Sequence, residues 1–273
     1  MKHVILGIAI SVLVTASAPR GTSASNDVSD RRACELGQPK CVNRVIKEME
    51  QRFRKLARRC DHDAIFALLY LRTTEKFRDT LDTIGYGDPS SVVREDGLFA
   101  DFYFHAFVAF HDGGDPPPAW DIAFSAARDH AVTSPGNALL GFNAHIQRDL
   151  PFVLHELSLR GHPISHDDHT LVNDFLAQVD ATPELVRRFD PAFDDNADPA
   201  ALFQLIVDWR ELAFTNFVRL RDAPTAEARA QVAAEIEAFT GAVAEGIAQA
   251  TAYPPGTDSA ARDAFCAANR SRD

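Results

Sequence analysis

The sequence predicts an all-α protein, a single multi-helix bundle domain. Apolar residues recur at three- and four-residue spacing in segment after segment, the apolar–polar alternation of a half-buried strand is scarce, and hairpin signals and internal repeats are lacking. Val42 to Arg59 places Val45, Met49, Phe53 and Leu56 along one helical face, with Asn43 as the expected N-cap. Asp63 to Leu81 continues with Ile65, Leu68, Leu69 and Phe77, and Gly85 and Gly87 mark its exit. Leu98 to Phe110 is dense in aromatics; its length and alanines favour a core helix over a buried strand. A rigid loop, Gly113 to Pro118, precedes a helix over Ala119 to Asp129. Gly136 to Arg160 reads as a long helical region that Pro151 breaks or bends, because proline lacks the amide donor and clashes with the preceding turn. Asp168 to Val179 is helical, and Phe189 to Asp198 is an acidic loop. Leu202 to Arg221 and the Ala-rich, amphipathic Thr225 to Thr251 complete the set.

Composition narrows the function. The chain has 273 residues, 46% hydrophobic and 25% charged, in the ordinary globular range. Lys plus Arg number 28 against 39 Asp plus Glu, a net charge of -11. Such a chain lacks the basic footprint of a duplex nucleic-acid binder or of a protein that adheres to anionic lipid. No G-x-S-x-G elbow and no phosphate-cradling glycine loop occurs, so serine-hydrolase and nucleotide-cofactor chemistry are not expected.

Residues 1–24 read as a secretory signal: Lys2 and His3, an apolar run from Val4 to Ala16, then small-x-small sites ending at Ala18 and Ala24. The apolar run of roughly 13 residues is too short to span a bilayer, which takes ~20, so no transmembrane anchor is expected. The protein is thus expected to be secreted, or held in the cell envelope or periplasm. Residues 25–40 are read as a flexible segment, 41–253 as the helical domain, and 254–273 as a tail tethered through Cys266. In an oxidising compartment the four cysteines, Cys34, Cys41, Cys60 and Cys266, form two disulfides rather than a zinc cluster, since no C-x-x-C spacing occurs. Three pairings are possible. Cys41–Cys60 is disfavoured, because a straight helix between them would hold them about 28 Å apart; Cys34–Cys41 with Cys60–Cys266 is the expected pair.

Eight of the ten histidines lie between His105 and His169. Within that stretch His145 and Asp149 stand four residues apart, about 40° of rotation on a helix, and His169 and Asn173 repeat the spacing. Imidazole and carboxylate are suitable ligands for a divalent metal such as zinc, and two helices each offering such a pair can enclose an ion inside a bundle. His155 is too distant along a straight helix to share an ion with His145, unless Pro151 bends the path. Asp149 equally suits a helix cap, His145 a buried hydrogen-bonded histidine, and Asp168 a cap for the next helix.

The segment Gly141-Phe142-Asn143-Ala144-His145-Ile146-Gln147-Arg148-Asp149-Leu150-Pro151 resembles a bacterial family of unknown function, frequent in actinobacteria, with an Asn-Ala-His-Ile-x-x-Asp-Leu-Pro core. Flanking pieces agree: Leu69 to Thr74, Asp168-His169 with Val172-Asn173, and Trp209-Arg210. This resemblance implies an all-helical domain and no particular activity. More remotely, His145, Asp149, His155 and His169 follow the ligand spacing of the zinc-dependent phospholipase C and single-strand nuclease superfamily, with Asn173 where that family has Glu. The match lacks the family's N-terminal tryptophan and a clear upstream histidine; Asp82, Asp96, Asp101 and His105 are upstream candidates. What it implies is metal-assisted phosphoester hydrolysis: zinc or another divalent ion on His145, Asp149, His155, His169, Asn173 and His105, with Asp101 or Asp168 as general base, and a small-molecule or lipid-like substrate. The competing expectations are a non-enzymatic helical module for an apolar ligand or envelope component, its cavity lined from Leu98 to Phe110, and a purely structural polar network.

Overall fold

A computed structural model describes residues 31–194 and 198–269. The expected leader lies outside the described residues. The helices are α1 (Lys40–Arg59), α2 (Ala64–Thr80), α3 (Pro89–His111), α4 (Pro118–Arg128), α5 (Ser134–Phe142), α6 (Leu150–Leu159), α7 (His166–Leu176), α8 (Thr182–Arg188), α9 (Pro199–Asp222), α10 (Ala226–Thr251) and α11 (Ala260–Asn269), with a π-helical segment (Asn143–Asp149) joining α5 to α6. Among the described residues the only β pairing is an isolated antiparallel bridge between Val132 and Ala252.

Helix starts follow capping chemistry more closely than apolar spacing shows. The aromatic helix α3 begins at Pro89, well before Leu98, because Asp88 accepts from the Ser91 amide and Pro89 supplies a first-turn residue with no amide to satisfy. Asp198 caps α9 in the same way, accepting from the amides of Ala200 and Ala201. Asn43 is not a cap: α1 starts at Lys40, placing Asn43 inside its first turn. Thr182–Arg188, which no expectation covered, is a short helix.

The path across Pro151 is neither a break nor a simple bend. Ahead of it the chain widens into the π-helical segment, closed by a hydrogen bond from the Leu150 amide to the His145 carbonyl. A wider turn moves the preceding carbonyls away from the proline ring, which relieves the clash that a regular α-helix would carry there. Gly141 sets this segment close to α2: a Cβ at that position would lie 2.3 Å from the Phe66 ring.

The main core runs through α1 to α5 with Val172, Phe175, Leu185 and Phe189, while a second cluster, Ile146, Leu150, Leu154, Ala213 and Phe217, joins the π-helical segment and α6 to α9. The π-helical segment therefore lies at the centre, packed on α3, α4, α9 and α10. Both expected disulfides are present, Cys34–Cys41 and Cys60–Cys266. The first lies against a packed stretch of the segment 25–40: Ala33 is buried, and Arg94 donates to the carbonyls of Glu35 and Leu36. The second fixes α11 to the end of α1, so the tail is a docked helix.

Candidate functional site

His145 and Asp149 meet as their spacing predicts. His145 Nδ1 donates to Asp149 Oδ2 at 3.2 Å, and the same oxygen accepts from Trp120 Nε1 at 2.9 Å. Asp149 Oδ1 accepts from Arg148 Nη1 at 2.9 Å, and Arg148 continues to Glu237 on α10. Both carboxylate oxygens, fully buried, are thus held by protein donors. The imidazole lies in an aromatic box: stacked on Phe99 at 3.5 Å and edge-on to Tyr70 at 4.4 Å, with Phe66, Tyr103 and Trp120 around it. Burial pushes its pKa down, and Asp149 opposes only part of that shift. The ring is therefore neutral, with its proton on Nδ1; Nε2 is buried and has no protein partner.

The other expected ligands are spent elsewhere. His169 Nε2 donates to the Arg210 carbonyl at 3.1 Å, and its Nδ1 faces Arg210 Nη2 at 3.4 Å. Burial, then the Arg210 charge, drive its pKa to about 2. Asn173 Oδ1 accepts from Arg210 Nε at 2.9 Å. Asp168 clamps the loop before α3, accepting from the amides of Gly87 at 2.6 Å and Asp88 at 2.9 Å, which leaves it no role as a base. Asp101 pairs with Arg44 at 3.2 Å on the α1–α3 surface, and His105 is exposed on the outer side of α3. His155 is buried on α6 with Nδ1 unpartnered. The structure does not gather these residues into one ligand set. On α7 the physical reason is Arg210, whose buried guanidinium holds Asn173 Oδ1 and whose backbone carbonyl takes the His169 Nε2 proton.

Among the described residues, the His, Asp and Glu side chains whose ligand atoms converge to within 4.8 Å are His62, His130 and Asp263. Hydrogen-bond donors decide what this triad is. Arg262 Nη1 can only donate, so His62 Nδ1 is the acceptor of their 2.9 Å contact, and His62 Nε2 carries the proton it gives to Asp263 Oδ1 at 2.8 Å. A metal on that Nε2 would need the opposite tautomer, with Nδ1–H pointed at an arginine. His130 stacks on His62 at 3.8 Å and bonds the other Asp263 oxygen. The cluster fastens α11 beside the Cys60–Cys266 disulfide.

A pocket of about 70 Å³ lies between α2, α3, α7 and α9. One water needs about 10–15 Å³ on this scale, so the pocket admits several waters or a compact small molecule. Its apolar lining includes Phe77, Val92, Phe99, Val172, Phe175 and Leu176; its polar groups are Tyr70, Thr73, Thr74, Glu95, Asp96 and Arg210. Tyr70 is 6% exposed, and neither its hydroxyl nor Asp96 Oδ2 has a protein partner. Burial raises the pKa of Glu95 to about 7, against the lowering effect of Arg210, and that of Asp96 to about 8, with Glu95 adding to the shift.

Five of these side chains, Tyr70, Thr73, Thr74, Val172 and Arg210, come from the segments singled out in the sequence, and α3 supplies Val92, Glu95, Asp96 and Phe99. A family model spanning residues 42–250 matches the chain. The chain belongs to DUF5995, a family of unknown function. No curated protein and no solved structure matches it. Within this DUF5995 domain, sequence reasoning placed the His145–Asp149 contact and named Asp96 only as an upstream candidate. It passed over Glu95, Tyr70 and Arg210 as site residues, although the latter two stand inside the quoted flanking pieces. His62, His130 and Asp263 carry no local signal, since they meet only through the docking of α11.

Proposed function

We propose that this DUF5995 domain is a small-molecule-binding protein whose ligand occupies the pocket between α2, α3, α7 and α9. One observation carries the reading: Tyr70 and Asp96 line a pocket with room for a ligand, and the Tyr70 hydroxyl and Asp96 Oδ2 are buried with no protein group to satisfy them. A buried polar atom left without a partner costs about 1–3 kcal/mol, a cost that a bound ligand would offset. Perturbed carboxyls in a largely apolar concavity with a few convergent polar groups are the usual signature of such a site. The two disulfides favour action in an oxidising, extracytoplasmic compartment, and among the described residues no helix is long and apolar enough to cross a membrane.

A second reading has an observation of its own. His145 held by Asp149, with Nε2 uncommitted, is the arrangement of a general base, and its neighbours Tyr70 and Phe99 both line the pocket. His145 is not itself a lining residue, so a base role requires its Nε2 to reach the bound molecule past Tyr70 and Phe99. Zinc-dependent phosphodiester hydrolysis is less well supported, because His169, Asn173 and Asp168 are already bonded to protein. A lipid-like or wholly apolar ligand fits neither the volume nor the carboxyls.

Mass analysis of small molecules released on denaturing the natively purified protein tests the proposal, alongside melting of two variants. Tyr70→Phe and Asp96→Asn should each hold or raise the ligand-free melting temperature while reducing the released molecule to background. Destabilisation by both variants, with nothing released from the parent protein, would mean that these groups serve the fold alone.

A further inference from the structure

Resting on the pocket reading above, we infer that the ligand is a small organic cation, an ammonium group on a compact apolar body, received by Asp96 with Glu95 and Tyr70. The charges that face this wall come from every helix around it. Asp96 and Glu95 belong to α3 and the Tyr70 hydroxyl to α2. Arg210 comes from α9, but its guanidinium is engaged: Nε on Asn173 Oδ1 at 2.9 Å, Nη2 on the His169 carbonyl at 2.6 Å, and no hydrogen bond to either pocket carboxyl among the described residues. Arg44, on α1, is paired with Asp101 and Glu48. Asp168, on α7, is held by the amides of Gly87 and Asp88. Arg210 bonds only neutral acceptors, so its charge is balanced at this wall by Glu95, and Asp96, whose Oδ2 has no donor, is the carboxyl left over.

The rest of the wall distinguishes among cations. Tyr70, Phe77, Phe99 and Phe175 line the pocket, and aromatic rings attract an ammonium or methylated ammonium. Calcium asks for six to eight oxygens and magnesium for a near-octahedral set with its own waters. Two adjacent carboxyls, about 100° apart on one helix, supply neither beside an apolar wall. An alkylammonium needs only one or two carboxylate oxygens and something apolar for its body. The Tyr70 hydroxyl, nine-tenths buried, completes the acceptor set. Because burial raises the pKa of Asp96 to about 8 and of Glu95 to about 7, binding of a cation displaces protons to solvent and tightens as pH rises.

The test uses the full chain, with calorimetric titration and thermal melting at pH 6 and pH 8.5. The probes are ethylammonium, tetramethylammonium, sodium propionate, calcium and magnesium, at matched ionic strength. Ethylammonium or tetramethylammonium should raise the melting temperature, with Kd at least fivefold lower at pH 8.5 than at pH 6. Asp96→Asn should weaken binding at least tenfold while leaving the protein folded. No stabilisation by either ammonium probe, or equal binding in Asp96→Asn, would overturn the inference. Stabilisation by propionate, calcium or magnesium alone would also overturn it, yet would leave the pocket reading standing. If no probe binds and Tyr70→Phe and Asp96→Asn both destabilise the protein, the pocket reading fails with it.

Discussion

Asp96 and His62 respond to pH with opposite signs. The Asp96 pKa of about 8 lies far above its ordinary 3.8, so the folded state keeps a proton that the unfolded chain has lost. Ligand-free stability therefore falls as pH rises from about 4 to about 8, and Asp96→Asn removes that slope. The variant should be more stable than the parent by at least about 1–3 kcal/mol at pH 8.5, and little different at pH 4, in urea melts at the two pH values. His62 lies the other way, lowered from 6.5 to about 4 by burial and then by Arg262. Unfolded chain takes up a proton below pH 6.5 that the folded cluster refuses until about pH 4, so the His62 contribution is complete above 6.5 and lost as pH falls through that window. Asp63, Glu95 and Asp96, all raised, push global stability the opposite way over the same range, so the readout must be local. Amide-exchange protection in α11 should fall between pH 6.5 and pH 4.5, while that of α2 does not.

At the level of the element, the π-helical segment deserves its central place because it answers two local constraints at once. Pro151 cannot follow a regular helix without a clash, and Gly141 must pass the Phe66 ring without a side chain. Asn143 then bonds the Thr240 carbonyl at 2.9 Å and Arg148 reaches Glu237, so two residues of one segment tie it to α10, with Gln147 bracing Asn143. Gly141→Ala should destabilise by about 1–3 kcal/mol, since the added methyl meets a buried ring. The loss should carry into the aromatic box, visible as a changed near-ultraviolet circular dichroism signal. The helix itself was legible from the apolar spacing of Gly136 to Arg160. The π-helical geometry was not, because it depends on what the neighbouring helices require of Asn143, Gln147 and Arg148.

Across the whole molecule, the Cys60–Cys266 bond closes a loop of 206 residues and holds α11, through His62, His130 and Asp263, against the far end of the chain. Long closed loops gain most in the chain-entropy account, with typical effects of about 2–5 kcal/mol. A double Cys60→Ser, Cys266→Ser variant should lose stability of that order in denaturant melts and expose α11 to limited proteolysis. The pocket, bounded by α2, α3, α7 and α9, lies apart from this latch, so the proposed ammonium binding should survive the double substitution.

What the sequence determined by itself is periodic: the helical class, most helix positions, and the meeting of His145 with Asp149 four residues on. The periodic features follow from repeats along one helix; among four cysteines elimination removed only Cys41–Cys60, and the fold decided between the two pairings that remained. Only the tertiary structure decided that Arg210 takes His169 and Asn173 away from any shared ion, and that Glu95, Asp96 and Tyr70 line a pocket. Partnership between groups far apart in the chain is a competition for donors and for space, and helices carry no record of its outcome until they are packed.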